Sequence, residues 1–316
     1  MLRRWIAVLA IGSSVWLSGA HGQQQRQAGA PATTGSKSEQ KSSDPDLEWA
    51  PPNVDAHLKS LSTTPPCDLS DVLQPAAANS LILASNLEKF TAQEHIAYVM
   101  RDRRGMVKDF DSGSFDYVYS MEQQKSGAAS REYRTPVKGS HAFPASGLDV
   151  GEVAIALIFR SDLQTDYEMK CEGTDERNGQ LDWVVHFQQR NDKPARTVKF
   201  WVDNGTHPAR LKGRAWISKD NFQVVHLEAN LMGDLWEIGL QEFAVSVDYK
   251  FVPNPSESLR LWLPNHVVTY ITWNFDAGRM ILAHNFTDFQ LFRVETKEKI
   301  QEPKQSDPAF NPHSTP

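Results

Sequence analysis

The sequence predicts an α+β protein in which a large curved antiparallel sheet, a half-barrel, carries about two helices over its concave face. Alternating apolar and polar residues recur in segments of strand length, above all in the second half of the chain. Turn-forming residues separate several of these segments, and strands joined by tight turns must be antiparallel. Two other segments have the apolar residues of helices, and helices grouped on one face of an antiparallel sheet define the α+β class.

The two predicted helices both precede most of the strands. Residues 68–86 carry an apolar stripe with a 3.6-residue period, which Pro75 interrupts. Residues 149–159 are apolar on broad faces between Val153 and Phe159, so this helix is expected to lie against the sheet rather than in water.

Eight to eleven strands are predicted. The first begins at Phe90, turns at 102–105 and returns through 115–119 as a long hairpin. The turns at 218–221 and 276–279 have the composition expected between antiparallel strands. Further strands are predicted at 181–187, 212–218, 222–231, 243–251 and 267–275.

The N-terminus predicts export. Arg3 and Arg4 precede a short apolar run that ends at Leu17, and the small residues Ser18 and Ala20 fit a signal-peptidase site. The run is shorter than the ~20 residues that span a bilayer, so a cleaved signal peptide at 1–20 is predicted rather than a transmembrane anchor. The mature protein is therefore expected in the periplasm or outside the cell.

Polar composition separates a single domain from two flexible ends. Residues 21–50 and 302–316 contain little that could be buried, so they are predicted to be a disordered spacer and a disordered tail. Residues 51–301 contain no second break of this kind and are predicted to form one domain. Cys67 and Cys171, the only cysteines, are expected to form a disulfide in an oxidising compartment.

Charge and motifs exclude several functions. The chain of 316 residues has 33 basic and 39 acidic side chains, a net charge of −6, which disfavours nucleic acid and anionic membranes as partners. The sequence lacks the H-E-x-x-H, G-x-S-x-G and P-loop motifs, so no metal, cofactor or catalytic residue is assigned. The sequence thus leans away from an enzyme, and it does not indicate an oligomeric state.

Two histidine–carboxylate pairs are candidate polar sites. His226 and Glu228, two residues apart, share one face of a strand, and His284 and Asp288 are predicted to do the same. Either pair could hold a metal or relay a proton. The alternative, a solvated pair on the convex face, agrees better with the usual exposure of such residues.

The concave face is the candidate ligand site. If the helix at 153–159 covers it loosely, an acyl chain fits between them and gains ~0.8 kcal/mol for each buried methylene. If the packing is tight, the same residues form only a core, and the pattern does not separate these cases. The predicted lining residues are Phe243, Val245, Val247, Tyr249, Phe251, Ile271 and Trp273.

Several motifs carry a resemblance to known proteins. They include residues 90–94, 115–118, 167–173, 211–217 and 224–228. Over most of 67–301 the sequence resembles a family of secreted bacterial proteins of unknown function. The order of the elements is also similar to that of the lipoprotein-localisation carriers of the bacterial periplasm, half-barrels that hold acyl chains under capping helices. This resemblance implies a non-enzymatic carrier of a lipid-like or lipoprotein ligand.

Two other functions stay open at this point. A secreted hydrolase could build its site from scattered histidines and carboxylates, such as His226 and Glu228. An envelope interaction protein could instead dock a partner on a sheet edge or on a tryptophan patch.

Overall fold

The structure is a computed structural model that describes residues 44–87, 90–124, 127–140, 151–202, 205–253, 261–274 and 278–291. The predicted signal peptide, most of the spacer, the tail and the predicted strand residue Phe275 lie outside these residues. Within them, ten strands form one antiparallel sheet that does not close, and helices accompany it. The predicted α+β class with a large curved sheet is confirmed.

Twelve strands are present in the described residues: β1 (Phe90–Arg101), β2 (Val107–Gln124), β3 (Gly127–Pro136), β4 (Tyr167–Arg177), β5 (Gln180–Gln189), β6 (Val198–Val202), β7 (Gly205–Ala209), β8 (Leu211–Ser218), β9 (Val224–Leu231), β10 (Leu240–Val252), β11 (Leu261–Trp273) and β12 (Arg279–Leu291). The large sheet has the order β3-β2-β1-β12-β11-β10-β9-β8-β5-β4, while β6 and β7 pair separately. The strands predicted by alternation all occur, but β2 begins eight residues and β11 six residues before the predicted starts at 115 and 267.

The first predicted helix is α1 (Leu69–Leu87), which continues through Pro75. The second is a 3-10 helix (Glu152–Phe159) followed by the short helix α2 (Ser161–Gln164). All eight residues of this 3-10 helix are buried, so it has no polar face. The sequence therefore predicts a buried helix, but without a polar face it has no apolar period that distinguishes a 3-10 helix from an α-helix.

The sheet has two different faces. The inner face packs against α1 and the 3-10 helix Glu152–Phe159 and contains most of the core, including Phe243, Val245 and Val247 of β10. The outer face carries a smaller apolar cluster, in which Val99 and Val268 surround Leu47. Because successive side chains of a strand point to opposite faces of the sheet, alternate residues contribute to the inner core and to the outer cluster.

A segment before the first helix crosses the outer face. We call residues 44–64 the N-terminal strap. It begins with a 3-10 helix (Pro45–Glu48) that fully buries Leu47, and Glu48 pairs with Arg101 of β1. The composition assigns 44–50 to the disordered spacer, but these residues pack on the sheet because Leu47 and the partly buried Trp49 join the outer apolar cluster.

The strap then passes over the remaining strands towards the β4 edge. The Pro52 carbonyl accepts a hydrogen bond from Asn230 of β9 at 3.0 Å, and Asp55 pairs with Lys212 of β8. At the edge, the backbone of Ser62 pairs with Thr174 of β4. The strap therefore lies across most of the width of the sheet.

The predicted disulfide between Cys67 and Cys171 is confirmed, with 6.0 Å between the two Cα atoms. It joins the residues just before α1 to the edge strand β4. The start of the helical layer is thereby fixed covalently to the sheet. None of the helices in the described residues is long and apolar enough to span a membrane.

Candidate functional site

The inner face of β10 and β11 contains most of the predicted lining residues. Phe243, Val245, Val247, Tyr249 and Ile271 are all at most 4% exposed. Phe251 is 45% exposed, and Trp273 is half-buried at the end of its strand. Five of the seven side chains therefore form one enclosed apolar surface.

Two helical segments cover that surface. We call α1 and the 3-10 helix Glu152–Phe159 together the lid. The Ser80 hydroxyl of α1 donates to the Ala156 carbonyl at 3.4 Å, which joins the two parts of the lid. The Tyr249 hydroxyl accepts from the Ala156 N–H at 3.3 Å, which joins the lid to β10. The Thr269 hydroxyl of β11 donates to the buried Glu152 carboxylate at 3.2 Å.

A buried polar cluster occupies the inner face at the other side of the sheet, on β1, β2, β3 and β12. The Arg134 guanidinium donates to Glu94 through Nε (2.6 Å) and Nη2 (3.0 Å), and to Glu132 at 2.5 Å. His284 Nδ1 donates to Glu94 at 2.9 Å. The Tyr117 ring lies beneath the guanidinium, with 5.2 Å between the ring centre and Arg134 Cζ. We call these five residues the inner polar cluster.

Burial sets the electrostatics of the inner polar cluster. Burial alone would raise the pKa of Glu94, but Arg134 and His284 outweigh it and hold that pKa below its usual value. Burial and the Glu132 carboxylate raise the pKa of the Tyr117 hydroxyl, which has no hydrogen-bond partner among the described residues. Because Arg134 pairs with two carboxylates, the cluster is an ion network in which the charged groups bind one another.

The expected pairing of His284 with Asp288 is wrong. His284 is buried on the inner face and contacts Glu94, whereas Asp288 is exposed and has a left-handed backbone with φ of 51°. This irregular backbone interrupts the alternation on which the predicted shared face depends. Glu94 is 190 residues away in sequence, so local spacing could not identify it. The available signal was a carboxylate on the apolar face shared by Phe90 and Tyr98.

His226 and Glu228 do lie close together, on the outer face, with 3.4 Å between Nε2 and Oε1. His226 Nδ1 also donates to Asp248 of β10 at 2.6 Å. His266 of β11 lies 3.4 Å from the same carboxylate and 2.9 Å from Asp46 of the strap. These residues form the outer polar cluster, which the strap partly covers.

The outer polar cluster favours charged imidazoles. Hydrogen bonds to Asp248 and Asp46 raise the pKa of His266, although burial opposes them. Burial lowers the pKa of His226, but its hydrogen bond to Asp248 and its close contact with the Glu228 carboxylate outweigh that effect and raise it. In the described ranges no group of three histidines, cysteines or carboxylates has the arrangement of a metal site. The cluster therefore attaches the strap to the sheet by ion pairs.

Asp182 of β5 is a buried carboxylate at which a stabilising substitution is expected. Neither carboxyl oxygen has a hydrogen-bond partner among the described residues, and burial raises its pKa to about 6. Ionising it therefore costs stability as the pH rises from about 4 to 6. We expect Asp182→Asn to raise the free energy of unfolding by about 1–3 kcal/mol at pH 7.5, measured by urea denaturation.

The gain from Asp182→Asn should disappear at pH 4, where the wild-type carboxyl is protonated in the folded state. Asp288→Asn, at an exposed position of β12, is the matched control and should change little at either pH, because asparagine also tolerates the left-handed backbone there. An equal gain at both pH values would show that ionisation of Asp182 is not the cause.

Comparisons with solved structures find proteins similar to this chain. A LolA superfamily protein from Nitrosomonas europaea has 13% identity and a TM-score of 0.33, over 69% of this chain and 94% of that one. A DUF1329 family protein from Desulfovibrio piger has 8% identity and a TM-score of 0.36, over 71% and 94%. A Vibrio parahaemolyticus domain named for outer membrane lipoprotein sorting has 11% identity and a TM-score of 0.36, over 73% and 96%. No family profile and no curated protein matches the sequence.

Proposed function

We propose that this protein is a non-enzymatic carrier that holds a hydrophobic, lipid-like ligand between the inner face of the sheet and the lid. One observation carries the proposal: the inner face of an open sheet is apolar and enclosed, yet helical segments rather than a second sheet cover it. An acyl chain can replace the lid side chains there without exposing the apolar face to water. Each methylene it buries contributes ~0.8 kcal/mol.

The two parts of the lid are attached differently, and only the 3-10 helix can move, because α1 ends at the buried Leu87 only three positions before the buried Phe90 of β1. The disulfide at Cys67 fixes the start of α1 to β4, so this end stays on the sheet. The bond between Ser80 and Ala156 holds the two parts of the lid together. Besides its hydrogen bonds to Tyr249 and Thr269, the 3-10 helix is held on the sheet by apolar contacts that a ligand would replace. The proposed opening is a displacement of the 3-10 helix Glu152–Phe159 from the inner face, which breaks its bond to Ser80 while α1 stays in place.

The proposed setting is the periplasm or the exterior of a bacterial cell. The signal-peptide pattern at 1–20 supports export, and an acyl chain or the lipid part of a lipoprotein is the proposed cargo. A hydrolase is less well supported, because the inner polar cluster has its arginine and Glu94 engaged in mutual ion pairs.

Val247→Trp tests the carrier function. Val247 is fully buried in the centre of the inner face, so a tryptophan there fills the space that a ligand would take. We expect wild-type protein to bind a fluorescent fatty-acid probe and Val247→Trp to bind it at least about tenfold more weakly. Val118→Trp is the matched control, because Val118 is 36% exposed on the opposite face and its substitution should leave binding unchanged.

Circular dichroism and urea unfolding show whether the variant remains folded. If Val247→Trp unfolds, Val247→Phe adds less volume to the same site and should still weaken binding. A wild-type protein that never binds the probe, or a folded Val247 variant that binds it normally, contradicts the carrier function.

A further inference from the structure

A polar groove of about 680 Å³ lies at one end of the large sheet, and Trp273 is the one predicted lining residue of the inner face that also borders it. Three parts of the chain meet there: the β1–β2 turn, the β9–β10 connection with the start of β10, and the end of β11 with the start of β12. The proposed carrier function does not use this groove. Its lining includes Arg103, Arg104, Arg279, Asp234, Glu242 and Trp273.

The groove has two walls of opposite charge. Arg103 and Arg104 of the β1–β2 turn and Arg279 at the start of β12 form the cationic wall. Asp234 and Glu242 form the acidic wall, and all five side chains are exposed. None of the ion pairs in the described part of the chain engages these arginines or joins the two walls. Opposite charges thus border the same space without neutralising each other directly.

Hydrogen bonds within the turn hold the backbone that carries Arg103 and Arg104. The Asp102 carboxylate accepts hydrogen bonds from the N–H groups of Arg104 (2.9 Å) and Met106 (3.0 Å). It therefore stabilises the backbone of the turn rather than pairing with the guanidinium groups. Gly105 has φ of +79°, and a Cβ there would lie 3.8 Å from Arg279 Nη2. Arg101 donates to the Gly105 carbonyl at 3.2 Å. The turn therefore brings Arg279 next to the backbone that carries Arg103 and Arg104.

We propose that this groove binds a zwitterionic ligand that carries a phosphate and an ammonium group, as phosphoethanolamine does. Guanidinium groups bind phosphate oxygens in bidentate pairs, which assigns the phosphate to the cationic wall. The acidic wall attracts the ammonium group, and the Trp273 and Tyr270 rings that line the groove can add cation–π attraction. A ligand with only one charge meets attraction from one wall and repulsion from the other, so a molecule carrying both is favoured.

Calorimetry with O-phosphoethanolamine tests the proposal at low ionic strength, where the attraction between charges is least screened. We expect this probe to bind about tenfold or more tightly than either inorganic phosphate or ethanolamine. Arg103→Gln with Arg104→Gln should weaken binding by about tenfold or more, and Glu242→Gln should weaken it too. Lys170→Gln with Lys250→Gln matches the double arginine variant in charge, and Glu168→Gln matches Glu242→Gln. All three control positions are exposed and outside the lining of the groove, so these variants should leave binding unchanged.

A second measurement distinguishes the source of the ligand. If the ligand is a lipid headgroup, the protein should sediment with phosphatidylethanolamine vesicles, and the double arginine variant should not. If it is a free small molecule, O-phosphoethanolamine should bind while the vesicles do not. The proposal is overturned if O-phosphoethanolamine and vesicles both fail to bind, if phosphate alone binds equally well, or if the double variant binds as tightly as the wild type.

Discussion

Replacing Arg134 with methionine is expected to lower the free energy of unfolding by about 3–5 kcal/mol. The substitution removes the partner that Glu94 and Glu132 share in the inner polar cluster. Glu94 is 1% exposed, so its charge would remain in a low-dielectric interior without the guanidinium. Urea unfolding of both proteins at pH 7 measures the difference.

A matched surface substitution separates this effect from the loss of any arginine. Arg190→Met breaks the exposed pair with Asp192 and should lower the free energy of unfolding far less than Arg134→Met does. Because the folded-state pKa of Glu94 is lowered, the stability it contributes is present at neutral pH and is lost as the pH falls through that pKa. The cost of Arg134→Met should therefore shrink in acid. A cost similar to that of Arg190→Met would mean that the cluster does not act as a buried ion network.

Removing the disulfide with Cys67→Ser and Cys171→Ser is expected to cost about 4–5 kcal/mol of folding stability. The two cysteines are separated by 104 positions, and a crosslink that closes a long loop restricts the unfolded chain strongly. Urea unfolding of the double variant against the oxidised wild type measures the loss. The oxidised wild type should resist unfolding to a higher urea concentration.

Reduction provides the control for the disulfide prediction. A reductant should destabilise the wild type to the level of the double variant and should leave the double variant unchanged. If the oxidised and reduced wild-type proteins unfold at the same urea concentration, the bond does not stabilise the fold.

The large sheet could be predicted because the alternation of apolar and polar residues within a strand shows which of its side chains face the core. Phe243, Val245 and Val247 alternate with Glu242, Ala244 and Ser246, and the structure places that apolar series on the inner face. The disulfide was predictable for a different reason, since only two cysteines exist. These features depend on spacing within a strand or on composition, which the sequence displays directly.

Features that depend on distant contacts could not be predicted in the same way. Glu94 binds Arg134 and His284, which lie 40 and 190 positions away in sequence. The order and register of the strands determine these contacts. The strap was missed because the burial of Leu47 requires a finished outer face beneath it. Equally, the two walls of the groove come from the β1–β2 turn, the β9–β10 connection and the first residues of β10 and β12, which become neighbours only when β1, β10, β11 and β12 assemble.

The path of the strap at the β4 edge has a consequence for self-association. Ser62 and Thr174 exchange backbone hydrogen bonds of 2.8 Å in both directions, so the strap occupies donors and acceptors that β4 would otherwise offer. The neighbouring Gly173 permits this approach, because a Cβ there would lie 2.3 Å from the Ser62 carbonyl oxygen. An unpaired strand edge can template the addition of another chain and so promote aggregation. At Thr174 the strap therefore interrupts the continuous row of free backbone groups on β4 that an added strand would need.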